Sequence, residues 1–265
     1  MLHIEVRGRG SRVVLVHGFT QTGGSWAEVA DILSDHHQVV VVDSPGHGRS
    51  ADERPANLVE AGAMLAAAGG RGVYVGYSMG GRMALHTAMA RPDLVRGLVL
   101  VGATAGIDSD GERAARRVAD EALAASLEAD GLEPFLEKWL KNPLFATLPA
   151  TKADIADRLG NTVDGLAYAL RSLGTGTQTP QWSELSRLDM PVLLVVGKRD
   201  VKFCALAEKM AELIGDNATV EVVPGAGHAV HLERPEAFLA VTSPFLRAVG
   251  HDTTKASDSN TPKTS

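Results

Sequence analysis

The chain has one cysteine, Cys204, so it cannot form an internal disulfide, and this fits a reducing, cytoplasmic setting. Cys204 itself reads as a small helix residue following a loop. No apolar run approaches the ~18 residues that would span a bilayer, which argues against a membrane-spanning segment. The first residues, Met1-Leu2-His3-Ile4-Glu5-Val6-Arg7, form a strand-like stretch with charges in it, unlike a secretory signal. Positive charge is not in excess. The formal net charge of −6 speaks against nucleic acid or an anionic membrane surface as a partner. Aromatics are sparse at 5%, but hydrophobic residues make up 45% of the 265 positions, enough for one large globular domain with a full core.

Within that composition, β-rich apolar runs recur at 13–16, 38–42, 72–76, 97–101, 191–196 and 219–223. Helical patterns separate most of them, near 25–34, 56–68, 79–90 and 204–214, and another covers 235–248. This alternation predicts an α/β fold, with a mostly parallel central sheet flanked by helices on both faces. Between 104 and 186 the rhythm breaks into helical patterns alone. The expected organisation is therefore a core of 1–103 and 187–249 with a helical cap inserted at 104–186. Residues 250–265, rich in Thr, Ser, Asp, Asn and Lys without an apolar anchor, are expected to form a disordered tail. There is no internal repeat.

The run Gly72-Val73-Tyr74-Val75-Gly76-Tyr77-Ser78-Met79-Gly80 carries the chemistry. A strand feeds into Gly-x-Ser-x-Gly and a helix follows, which predicts a sharp turn with Ser78 exposed at its tip. A serine hydroxyl reacts only when a histidine takes its proton and an acid orients that histidine. Asp200 follows the strand 191–196, and His228 follows the strand 219–223. The order Ser78, Asp200, His228 is the one expected of the α/β-hydrolase fold. Two N–H groups should form an oxyanion site: Met79, directly after the serine, and Phe19, in the loop after strand 13–16. His17 and His47 read as structural hydrogen-bonders. His228 and His231 lie three positions apart, but no carboxylate or cysteine pattern completes a metal site, so none is expected. Arg82 falls one helical turn after Ser78, where it serves either a local ion pair or an anionic substrate.

Assembled, these residues resemble the 2-succinyl-6-hydroxy-2,4-cyclohexadiene-1-carboxylate synthases, a menaquinone-pathway branch of the α/β-hydrolase superfamily. The resemblance covers the chain up to about residue 248. It rests on Gly76-Tyr77-Ser78-Met79-Gly80-Gly81-Arg82, on Trp139-Leu140-Lys141-Asn142-Pro143-Leu144-Phe145-Ala146, and on the stretch from Ser172 to Trp182. Gly197 to Phe203 and Gly225 to Glu233 complete it. By this resemblance Ser78, Asp200 and His228 are the triad, and Phe19 and Met79 are the oxyanion site. The implied substrate pocket comprises Tyr77, Arg82, Arg116, Trp139, Phe145 and Arg158, with Arg117 as the alternative to Arg116. Leu140 departs from the family, some members of which carry tyrosine there. The implied reaction is a cofactor-independent elimination of pyruvate from a small tricarboxylate, 2-succinyl-5-enolpyruvyl-6-hydroxy-3-cyclohexene-1-carboxylate. Two competing readings share the scaffold: a serine-dependent carboxylesterase or carbon–carbon bond hydrolase, and a binding protein without turnover. The sequence leaves the oligomeric state open.

Overall fold

A computed structural model describes residues 1–149 and 151–250. The expected disordered tail thus lies outside the described residues, apart from Gly250. Seven strands form one sheet: β1 (Ile4–Arg7), β2 (Ser11–Val16), β3 (His37–Val42), β4 (Gly72–Tyr77), β5 (Val95–Val101), β6 (Val192–Gly197) and β7 (Ala218–Val223). Their spatial order is β1-β3-β2-β4-β5-β6-β7, with β1 antiparallel to β3 and every other neighbouring pair parallel.

The strands are apolar on both faces because both are covered. Val14, Val16, Tyr74, Leu98, Leu100, Leu194 and Val196 join one core cluster. Their alternates Val13, Leu15, Val73, Val75, Val99, Val101, Leu193 and Val195 join another. On the second face lie α1 (Ala27–Ser34), through Val29 and Leu33, and the C-terminal helix Pro235–Gly250, through Phe238 and Leu246. Against the first face pack α2 (Leu58–Gly69), α3 (Met79–Ala90) and the helix Val201–Ile214. Each fully buried large aliphatic side chain contributes about 1.5–3 kcal/mol of transfer free energy, so these two layers dominate the stability.

Between β5 and β6 stand α4 (Asp110–Asp130), α5 (Leu132–Trp139), α6 (Lys152–Leu159) and α7 (Val163–Leu173). Of these, α4, α5 and α7 pack on a small core of their own, which includes Leu127, Phe135, Leu136, Leu166 and Leu170. Numbering continues with α8 (Val201–Ile214), α9 (Val230–Glu233) and α10 (Pro235–Gly250). Helix α8 begins three residues before the sequence pattern suggests, because the Asp200 side chain caps it by accepting from Phe203 N. No helix among the described residues is long and apolar enough to cross a membrane.

The strand order also locates the functional crevice. From β2 the chain moves to β3 on one side, then crosses back to β4 on the other. Ligands of open α/β sheets bind outside the carboxyl ends of strands at such a reversal. Here those ends are Val16 and Tyr77, so the following residues, among them Phe19 and Ser78, open onto the crevice.

Candidate active site

The serine sits where its backbone is strained. Ser78 has φ 50° and ψ −108°, outside the ordinary range for a residue with a side chain. The turn is forced by close packing on both sides. A Cβ on Gly76 would stand 2.4 Å from the Gly80 carbonyl oxygen, and one on Gly80 would stand 2.3 Å from that of Val16. Ser78 N donates to Val101 O at 2.8 Å, and Arg82 N donates to Ser78 O at 3.0 Å, so the turn is tied to β5 and to the first turn of α3.

Three strand ends then converge. His228 Nε2 lies 3.2 Å from Ser78 Oγ, and Asp200 Oδ2 accepts from His228 Nδ1–H at 2.7 Å. His228 is buried between Phe203 and Tyr77, with ring centroids 4.5 and 5.3 Å away. The loop that carries it is held by Glu233, whose carboxylate accepts from Gly227 N at 2.7 Å and Ala229 N at 3.0 Å. Those peptides flank His228. Glu233 lies within the run that carries the family resemblance, yet its role is invisible in sequence because its partners are backbone groups.

Ser78 and His228 open on a cavity of about 290 Å³, which Phe19, Tyr77, Met79, Arg82, Arg116, Trp139, Phe145 and Phe203 also line. With aromatics at 5% of the chain, this concentration around one cavity is not a matter of composition. Phe19, Phe135 and Phe145 surround the Trp139 ring at 5.2, 6.0 and 5.6 Å. Met79 opens α3, so its N–H has no acceptor within the helix. The expected polar roles of His17 and His47 correspond to contacts made. His17 Nε2 accepts from Ser44 N at 2.9 Å, and His47 Nδ1–H donates to Pro45 O at 3.0 Å.

The arginines divide. Arg82 is 7% exposed, and its guanidinium donates to Gln178 Oε1 at 3.4 Å. Burial, then repulsion from Arg116, pushes its pKa down to about 10, against the pull of Asp120. It therefore stays a cation at neutral pH, buried without a direct carboxylate partner among the described residues. Arg116 is held by Asp120 at 2.8 Å, while the other Asp120 oxygen has no partner. Arg117 donates to Gly176 O at 2.9 Å and does not line this cavity, whereas Arg116 does. Arg158 is not brought to the cavity wall. It is fully buried, paired with Asp154 at 3.0 Å and bonded to the Thr20 hydroxyl. Gln178 and Asp120, which place Arg82 and Arg116, carry no sequence signal beyond lying in helical or motif-bearing stretches. Among the described residues no cluster of three His, Cys, Asp or Glu side chains could hold a metal ion.

The arrangement can move a proton between Ser78 and His228 beside two cations. Its relatives are consistent in kind. The Alpha/beta hydrolase family matches residues 13–241. A provisionally named 2-succinyl-6-hydroxy-2,4-cyclohexadiene-1-carboxylate synthase of Bacillus subtilis (strain 168) is 36% identical, over 89% of this chain and 90% of that one. The synthase of that name from Enterobacter sp. (strain 638) is 32% identical, over 89% and 91%. Among solved structures, MenH from S. aureus superimposes with a TM-score of 0.87 at 29% identity, over 95% of this chain and 100% of that one. A thermophilic esterase from Thermogutta terrifontis reaches 0.77 at 26%, over 94% of each. The chain belongs to the α/β-hydrolase family and, within it, to the 2-succinyl-6-hydroxy-2,4-cyclohexadiene-1-carboxylate synthases.

Proposed function

We propose that the chain eliminates pyruvate from 2-succinyl-5-enolpyruvyl-6-hydroxy-3-cyclohexene-1-carboxylate to give 2-succinyl-6-hydroxy-2,4-cyclohexadiene-1-carboxylate. The observation that carries this reading beyond family membership is the pair of cations, Arg82 and Arg116, on the wall of the cavity that holds Ser78. A buried guanidinium without a carboxylate is costly unless an anion arrives, and this substrate brings three carboxylates. A neutral ester has no use for either arginine. The segment 104–186 acts as the cap, the core being 1–103 and 187–249, and Tyr77, Trp139 and Phe145 cover the ring of the substrate. Arg158 reaches a carboxylate only by giving up its contacts to Asp154 and Thr20.

In this mechanism His228 accepts the Ser78 proton, and Asp200 stabilises the imidazolium that forms. The Ser78 oxygen takes a proton from the ring carbon beside the succinyl carbonyl. The electron pair of that C–H bond moves onto the carbonyl oxygen, which rests against the N–H groups of Phe19 and Met79. Each such donor supplies about 2.7–4 kcal/mol of transition-state stabilisation. Collapse of the anion forms C2=C3, shifts the ring double bond from C3=C4 to C4=C5 and breaks the C5–O bond to the enolpyruvyl group, which leaves as the enolate of pyruvate and takes at carbon the proton held by His228. The step is redox-neutral, and both proton and electron pair originate in the substrate, so it calls for no cofactor and no acyl-enzyme. The reading places the chain in the cytoplasm, acting on a small anionic molecule.

The test is pyruvate release from the enolpyruvyl substrate, coupled to NADH oxidation by lactate dehydrogenase. Efficient release is expected. A far higher catalytic efficiency on a simple aryl ester would make the chain a carboxylesterase instead.

A further inference from the structure

The loop that supplies Phe19 is strained at its next residue. Thr20 has φ 69°, a left-handed conformation that a β-branched side chain avoids, and it is fully buried. Ser78 is the other non-glycine residue at positive φ among the described residues. Every polar group of Thr20 is occupied. Its N–H donates to His47 Nε2 at 3.3 Å, its carbonyl accepts from Asn161 Nδ2 at 2.8 Å, and its hydroxyl accepts from Arg158. Asn161 in turn accepts from Gly48 N at 2.9 Å and donates to Arg158 O at 2.9 Å. Two residues along, Asp157 accepts from Thr22 N at 3.0 Å. Asp157, Arg158 and Asn161 all belong to the helical insertion, whereas Thr20 and Thr22 belong to the core.

Strain of this kind persists only where the surroundings over-determine it. Here much of that determination crosses from the insertion to the loop. We propose that Asn161 is a positioning residue: by holding the Thr20 carbonyl it keeps the left-handed turn, and the turn aims the neighbouring Phe19 N–H into the oxyanion site. The site is then complete only while the 157–161 segment is docked on the loop, which couples cap position to catalytic power. This rests on Phe19 being an oxyanion donor. Asn161 does not line the cavity, so replacing it touches no substrate contact.

The test uses Asn161→Ala, Thr20→Gly and the double variant, with two readouts. One is kcat and KM for pyruvate release. The other is the rate at which a fluorophosphonate labels Ser78, in which the Oγ–P bond forms, fluoride leaves, His228 takes the serine proton and the phosphoryl oxygen occupies the same N–H site. Asn161→Ala is expected to lower kcat and the labelling rate by about tenfold, with KM changed by less than about twofold. Adding Thr20→Gly should restore most of the loss, because glycine adopts positive φ without steric cost. A rise in KM with kcat intact, or a double variant as slow as Asn161→Ala, overturns the proposal. If Asn161→Ala does not fold, Asn161→Ser is judged by the same criteria. A wild type that labels without releasing pyruvate refutes the elimination while the labelling rates still decide the role of Asn161. A wild type that does neither overturns both.

Discussion

Ser78, Asp200 and His228 leave the ends of three parallel strands, whereas Arg116 and Trp139 ride on helices that pack on their own small core, with Phe145 set against Trp139. The two halves of the cavity hold their polar groups differently. At the strand ends the anchors are largely backbone: Ser78 N to Val101 O, and Glu233 to the peptides on either side of His228. In the insertion the anchor is a side-chain ion pair, Arg116 with Asp120. Backbone anchors on a rigid sheet suit proton transfer, which tolerates little displacement. A side-chain anchor on a separately packed layer suits ligand selection, because such a layer can adjust to a ligand while the strand ends stay fixed.

On that division, damage to the strand ends should be catastrophic for any chemistry. Ser78→Ala and His228→Ala should each lower turnover by at least about 10³-fold, with the double variant little worse than either, since the pair acts as one proton-transfer unit. Purified, folded variants with near wild-type rates would break the comparison at its stronger side. Arg82, at the boundary between the two halves, should show an intermediate and substrate-dependent effect. Arg82→Ala should reduce kcat/KM on the tricarboxylate by roughly ten- to a hundredfold, in line with about 1.5–3 kcal/mol for a charged hydrogen bond. Lysine should recover only part, lacking the planar fork. Any turnover of a neutral ester should change far less; equal losses on both substrates would assign Arg82 to holding the serine turn.

Arg116 sharpens the comparison further. Its side chain is 40% exposed and already paired with Asp120, so its contribution is screened. Arg116→Ala should cost about two- to fivefold in kcat/KM, mainly through KM, measured beside Arg82→Ala on the same substrate. A loss exceeding that of Arg82→Ala would reverse the ranking of the two halves.

The smallest effect concerns stability. Burial first, then His228 and Arg158, push His231 down to about 3, and burial with His17 does the same for His47. In the unfolded chain both titrate near 6.5. Between those values the unfolded chain binds protons that the folded chain refuses, so stability is full above pH 6.5 and falls as pH drops through the window. Each buried histidine should take about 1.4 kcal/mol per pH unit there. His231 stacks on Trp26 at 4.0 Å and neither ring nitrogen has a partner, so His231→Phe should fold well at neutral pH. Denaturant midpoints should show its acid-side slope reduced by about that amount; an unchanged slope would mean that His231 is not the group titrating.

Much of this was legible in the residues alone. Unbroken apolar runs with intervening helices specify a covered parallel sheet. Gly-x-Ser-x-Gly is readable because the turn admits so few residues at 76 and 80. Chain order placed Asp200 and His228 at strand ends, where reactive groups of this fold stand. Those signals are local, or depend on an order that the sequence itself displays. Tertiary structure alone decided which cations line the cavity. Neighbouring Arg116 and Arg117 point differently because Asp120 captures one and the Gly176 carbonyl the other. Arg158, matched to the pocket by resemblance, is instead engaged by Asp154 and Thr20. Nothing in the one-dimensional pattern marks Glu233 or Asn161, because their partners are peptide groups far apart in the chain or hidden in a loop. A charged side chain several bonds long can reach in many directions, and only the packed surroundings select the one it takes.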